Sequence, residues 1–264
     1  MSHHSVLAAP FLFMGRVVLG VMRQVGSVTL FALKGLAGIF TRPVYPMLYW
    51  RAFINMGFLS LPVVALTAVF AGGVIALQSY TGFAQYHAQS AIAHIVLLAI
   101  TRELGPVLAG LMIAGRVGAA LSAQLGTMRV TNQIDALYTL STNPIKFLVT
   151  PRLYAALAAV PLLVIVADIL GVFGGFGVCV AKLGFTPENY IKATWAALKW
   201  KDISVGLTKA AVFGFLIALL GCYFGYNSKG GAEGVGRAAT ATVVTASILI
   251  LVFDYLLTDL FFAS

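Results

Sequence analysis

Five long apolar runs, near residues 54–79, 91–114, 153–181, 203–226 and 241–262, leave this chain very few folds. A helix needs about 20 apolar residues to cross the hydrocarbon of a bilayer, and each run supplies them. Lipid offers the backbone no hydrogen-bond partner, so only helices and closed barrels span it. The runs are continuous and lack the in-out alternation of barrel strands. The expected fold is therefore an all-α integral membrane protein with five transmembrane helices. Composition agrees, with 60% hydrophobic residues, 9% charged residues and a mean hydropathy of +0.96. Residues 1–50 are set apart as an N-terminal region and 51–264 as the membrane domain, with 115–150 as a polar connection inside it.

Orientation follows from lysine and arginine in the connections. With the N-terminus inside, the inner segments carry Arg16, Arg23, Lys34, Arg42, Arg51, Arg116, Arg129, Lys146, Arg152, Lys229 and Arg237. The outer segments carry Lys182, Lys192, Lys199 and Lys201, beside Glu188 and Asp202. Eleven against four places the N-terminus in the cytoplasm and the C-terminus outside. Ser141 and Ser228 then belong to the inner side and Ala88 to the outer. The net charge of +9 suits an anionic cytoplasmic leaflet, so no nucleic-acid partner is called for.

Ahead of the first run, Arg16, Arg23, Ser27 and Lys34 align within about 20° at helical spacing. Phe11, Met14, Val17, Val18, Val21, Val25 and Leu36 occupy the other faces. This describes an amphipathic helix lying in the cytoplasmic interface; a sixth span is the alternative. The start does not resemble a signal peptide, because Arg16 and Arg23 interrupt it. Thr186-Pro187-Glu188 reads as a helix N-terminus. Ile191, Trp195 and Leu198 continue it as a short external helix, with Trp195 and Trp200 at the membrane boundary. Gly171 with Gly175 and Gly221 with Gly225 are GxxxG pairs suited to close helix contact.

The chemistry-bearing patterns are few. Cys179 and Cys222 lie in spans without metal-ligand or CxxC spacing. His3, His4, His87 and His94 form no catalytic motif, and neither HExxH nor GxSxG occurs. The glycine-rich Gly230 to Arg237 stretch lacks the Gly-Lys-Ser/Thr ending of a phosphate loop. No catalytic residue, metal site or cofactor is expected, and any ATP must be used by a partner.

Charges within the spans are Arg102, Glu103, Asp168, Lys209, Asp254 and Asp259. Each costs roughly 2.5–3.5 kcal/mol at mid-membrane on insertion scales and wants a partner or a cavity. Arg102 and Glu103 precede Gly105-Pro106, a helix break placed near mid-membrane. Arg102 is expected to pair with Glu103 or Asp254, and Arg102 and Lys209 are the candidate partners of Asp168 and Asp254. Lys209 lies only about six residues inside its span and is near enough to snorkel. Two roles stay open for the Arg102 region, a structural ion-pair network and a substrate-facing one.

The segment from Ala114 to Leu137 is a polar island between apolar runs. Leu121, Leu125 and Met128, then Val130, Ile134 and Leu137, recur at i, i+4 and i+7 with a phase slip between them. Two short amphipathic pieces would present a ridge to a partner's groove; a self-packed loop is the alternative.

The strings RELGPVLAGLMIAGRVGAALSAQLGTMRVTNQIDAL, NPIKFLVTPRLYA and PLLVIVADILGVFGG resemble the MlaE/YrbE permease family of ABC lipid transporters associated with MCE proteins. The similarity runs from about residue 50 to the C-terminus. It implies a homodimeric permease of a bacterial inner membrane, with a coupling helix in the Ala119–Leu137 region seated on an ABC ATPase. The coupling residues would be Leu121, Gln124, Leu125, Met128, Asn132 and Gln133. An MCE-domain lipid-binding protein outside and a small cytoplasmic STAS-domain accessory protein are the other implied partners. Phospholipid is the implied cargo, in a cavity lined by the first two spans and their Gly72, Gly73, Gly105 and Gly110. Leu66, Val69, Phe70, Val74, Leu77 and Leu108 would touch acyl chains, with Arg102 and Glu103 near the headgroup. The chain has Gln124 and Asn132 where members commonly carry Glu, which removes negative charge from the coupling surface. Two other functions remain open from the residues alone: a proton-coupled secondary transporter using Asp168, Asp254 and Glu103, and a non-transporting membrane scaffold.

Overall fold

The computed structural model describes residues 4–40, 45–83 and 91–262. His3, Arg42, His87 and Ala88, and the side chains of His4, Phe11, Met14, Val17 and Val21, lie outside what it describes. Helix α1 spans His4–Ala37; α2, Pro46–Met56, leads through a tight turn at Phe58–Ser60 into α3, Leu61–Phe83. The next column is assembled from α4 (Ala91–Leu98), α5 (Gly105–Ile113) and α6 (Ala119–Val130). Wide π-helical turns at Ala99–Leu104 and Ala114–Gly118 join them. Then come α7 (Gln133–Thr139), α8 (Thr150–Ala181), α9 (Pro187–Ala197), α10 (Trp200–Tyr226) and α11 (Gly231–Phe262).

Five helical segments are long and apolar enough to cross a membrane: Pro46–Phe83, Ala91–Val130, Ile145–Ala181, Trp200–Tyr226 and Gly231–Phe262. The protein is an all-α membrane protein with the five spans its hydropathy requires. The helices run past the apolar windows because polar ends can extend into the interface while keeping their backbone bonds.

Lipid tails are as apolar as leucine, so contact between spans depends on close packing rather than on water expulsion. The tightest contact joins α3 to α8. A Cβ on Gly72 would fall 1.8 Å from the Gly171 carbonyl oxygen, and one on Gly174 would fall 2.1 Å from that of Val69. Backbone meets backbone here, and only glycine permits it. Gly171 thus contacts α3, while Gly221 and Gly225 seat α10 against α6. Gly72 and Gly73 are consumed by this packing, and Gly105 and Gly110 face Asp168, Phe213 and Ile250. These four glycines, expected along a cavity, are buried helix contacts within the one chain.

Helix α1 packs on the start of α8 and the end of α10. Phe31 is buried edge-on against Tyr223, and the Ser27 hydroxyl shares a 2.6 Å hydrogen bond with that of Tyr223. Ser27 therefore leaves the polar stripe and faces the bundle, whereas Arg16, Arg23 and Lys34 stay exposed. Leu19, Met22, Leu30 and Leu33 are left uncovered by the chain.

Helix α9 starts at Pro187 with Thr186 extended, though the threonine side chain makes no capping bond. Tyr190 anchors α9 by its edge-on contact with Phe176. Burial, reinforced by the nearby Cys179 thiol, pushes the Tyr190 phenol above its ordinary pKa. Trp195 and Trp200 are exposed.

Candidate functional site: a charged cluster at a broken helix

Pro106 has no N–H to give the carbonyl four residues back, and its ring crowds that oxygen. The chain answers with the π-helical turn Ala99–Leu104, so the Arg102 carbonyl loses its helical donor. Lys209 of α10 supplies one: its Nζ donates to the Arg102 carbonyl at 2.9 Å. The same ammonium donates to Glu103 Oε2 at 2.7 Å and to Thr258 Oγ1 at 2.7 Å. An ammonium has three protons, and these acceptors use all of them. Asp254 Oδ1, 2.8 Å from Nζ, adds attraction without a directed hydrogen bond. Thr258 donates onward, at 2.8 Å to the Asp254 carbonyl.

Lys209 is wholly buried. The expected snorkelling does not occur, because four oxygens inside the bundle outcompete water at the span's end. Close approach of α10 makes this geometry available, since a Cβ on Gly206 would fall 2.5 Å from the Thr101 carbonyl oxygen.

Arg102 turns the other way. Its Nε donates to Asp202 Oδ1 at 2.9 Å, and its Nη2 lies at the same distance from that oxygen. The guanidinium also stands 4.5 Å from the centre of the Phe262 ring. The partner is thus neither Glu103 nor Asp254. Asp202, read as an external loop residue, lies in the first turn of α10 and is buried. Arg102 is accordingly level with the start of one span and the end of another, rather than at mid-membrane. Asp168 does not join the cluster: it leans on Gly105, and its Oδ1 has no hydrogen-bond partner among the described residues. Glu103, Lys209 and Asp254 are brought together, and Asp168 is left out.

The residues expected to touch acyl chains divide. Leu66, Phe70, Val74 and Leu77 form an exposed face of α3, while Val69 and Leu108 are half-buried between helices. Within one chain they make an uncovered surface rather than a cavity. Helix α11 carries a similar face, with Val244, Ile248, Leu251 and Tyr255 exposed.

At the opposite end of the bundle, the polar island folds as α6 and α7. The phase slip in its periodicity is the break at Thr131 and Asn132; Asn132 is left-handed at φ 58°, a conformation asparagine tolerates well. The apolar ridge is turned mostly inward: Leu121, Leu125 and Ile134 are buried in the chain's own core, Met128 and Leu137 are half-buried against it, and Val130 is exposed. For Leu121, Leu125 and Ile134 the expected contact with a partner is corrected, since a short helix satisfies its apolar face on its own bundle when α10 and α11 lie beside it. The surface left outward carries Gln124, Asn132, Gln133, Tyr138 and Leu140.

Five spans, one broken beside a buried ion cluster, describe a polytopic membrane protein with the build of a transport subunit. Comparison with known proteins makes the class specific. The family model described as Permease MlaE matches residues 49–260. A Rickettsia felis protein named as a probable ABC transporter permease is 53% identical over 94% of this chain and 96% of its own length. A Synechocystis protein with the same description is 38% identical over 77% of each chain. The intermembrane phospholipid transport system permease protein MlaE of Haemophilus influenzae is 30% identical over 95% of this chain and 97% of its own length. The chain belongs to the MlaE permease family.

Proposed function

We propose that this chain is the membrane-spanning subunit of an ABC transporter that moves phospholipid between membranes, with ATP hydrolysed on a separate ATPase. One observation carries the reading: near end-to-end similarity to a permease named for intermembrane phospholipid transport, over 95% of this chain. The uncovered apolar faces of α3 and α11 support a homodimer in which two copies enclose the lipid path. Leu66, Phe70, Val74 and Leu77 then face lipid cargo, and the Arg102–Asp202 and Lys209 clusters hold the broken helix beside it. An MCE-domain protein at the outer face, a STAS-domain accessory protein at the inner face and a bacterial inner membrane complete the proposed setting. The chain itself performs no catalytic chemistry in this reading.

Co-purification and lipid transfer test it. The ATPase should come down with the permease in stoichiometric amount, and phospholipid should move between vesicles only with ATP. The coupling contact is proposed for the outward surface of α6 and α7. Leu140 is 72% exposed, so Leu140→Asp should leave the permease folded while cutting ATPase recovery at least tenfold, by burying a charge at the contact. Wild-type recovery would remove the coupling assignment.

The proposed orientation is tested by cysteine labelling. Ser141 and Asn189 are exposed on opposite sides in this topology, whereas Ser228 is too buried to report. A cysteine at 141 should react only from the cytoplasmic side and one at 189 only from outside; reaction of both from one face would overturn the orientation.

A further inference from the structure

Where α2, α6 and the start of α8 meet, a cavity of about 550 Å3 is lined by Arg51, Arg116 and Arg152. None of the described residues lining it is acidic. Arg116 donates to Ser60 Oγ at 2.6 Å and to the Asn55 carbonyl at 3.4 Å. Arg152 donates to Gln124 Oε1 at 3.1 Å and to the Leu148 carbonyl. All these acceptors are neutral, and none of the five ion pairs among the described residues involves the three arginines. The cavity wall thus carries three guanidiniums and no counter-charge among the described residues, and an anion held there would supply one. The remaining wall is apolar, with Leu48, Met56, Leu59 and Phe147. On the same stretch of chain Trp50 and Phe58 are 60% and 70% exposed, which sets the cavity at the lipid boundary.

We propose that this cavity binds the phosphate-bearing headgroup of an anionic phospholipid from the leaflet at this face of the membrane. A volume of about 550 Å3 lies within the usual range for small-ligand sites. Guanidiniums recognise phosphate oxygens in pairs, and the apolar wall receives the first acyl carbons. The site is separate from the Lys209 cluster, since Arg116 lies 13 residues beyond Glu103 in the same column, roughly 20 Å along it at helical rise. The neutral amide of Gln124 is part of the device: it orients Arg152 without cancelling its charge.

The test uses the full chain without any ATPase, so its outcome does not depend on the transport reading. The chain is reconstituted in nanodiscs of equal phosphatidylglycerol and phosphatidylcholine, re-extracted in mild detergent, and its retained lipid quantified by mass spectrometry. Wild type should retain phosphatidylglycerol in preference. Arg51→Gln removes an exposed guanidinium without unpacking the bundle, and Gln124→Glu places a carboxylate beside Arg152. Each should weaken that retention about tenfold, the equivalent of one charge-assisted hydrogen bond. No lipid preference in wild type, or unchanged retention in both variants, overturns the site. Full displacement of phosphatidylglycerol by millimolar inorganic phosphate would show that the cavity reads free phosphate, and overturns the lipid assignment. Arg51→Gln that lowers ATPase recovery in a separate pull-down while lipid retention is unchanged would show that an acidic side chain of the ATPase occupies the cavity, and also overturns it.

Discussion

Lys209→Met is expected to abolish the recovery of folded permease. The substitution keeps length and apolar bulk but withdraws the one ammonium that serves Glu103, Thr258, Asp254 and the Arg102 carbonyl. Removing one partner of a buried ion pair costs about 3–5 kcal/mol, because the remaining charge stays out of water. The Glu103 side chain is 37% exposed in the isolated chain, which trims its share, while that of Asp254 at 18% retains more of the penalty. The orphaned Arg102 carbonyl adds about 1–3 kcal/mol, since Pro106 cannot reclaim it. Typical stabilities of about 5–15 kcal/mol leave little after such a loss. The monodisperse peak in detergent chromatography should collapse for Lys209→Met and return in part for the triple variant Lys209→Met, Glu103→Gln, Asp254→Asn, which removes the stranded charges together. A single variant as well behaved as wild type would mean that the cluster does not hold the broken helix in place.

That cluster also shows what could be foreseen from the chain alone. Five spans were legible because apolar length is a local property that lipid reads directly. The helix break was legible too, since proline acts on the residues immediately before it. The partner of Arg102 was not. Asp202 stands beside Lys199 and Lys201, and in linear order it belongs to a polar connection; only the packing of α10 brings its first turn level with residue 102. The burial of Lys209 is hidden for a related reason, because distance from a span's end indicates that water is reachable but not that better oxygens lie closer. The polar island taught the converse lesson. Its periodicity located an apolar face on α6 and α7, yet periodicity cannot name what covers that face, and here the covering surface is the chain's own core. The resemblance to MlaE permeases came from long ordered strings, and these carried the family assignment without placing a single side chain.

Gly174→Val should cost about as much as the lysine change by an unrelated route. Added atoms in the membrane core normally cost about 1–3 kcal/mol when a neighbour can rotate aside. At Gly174 the neighbour is the Val69 carbonyl oxygen, 2.1 Å from where Cβ would stand, with its carbon at 2.8 Å. Backbone cannot rotate aside, so α3 and α8 must separate. That separation also loosens the contact one turn away, where Gly72 meets Gly171. Association of spans in lipid depends on such close approach, so the loss is not offset by expelling water elsewhere. Gly174→Ala should already lower the midpoint of thermal aggregation in detergent, and Gly174→Val should prevent recovery of folded protein. Gly177, three residues on along the same helix, has open space around its Cβ position, and Gly177→Val should behave as wild type. Equal behaviour of the Gly174 and Gly177 variants would show that the two helices do not pack backbone to backbone. A loss confined to Gly174 would locate the constraint in the α3–α8 contact, which holds the exposed face of Leu66, Phe70, Val74 and Leu77 in place.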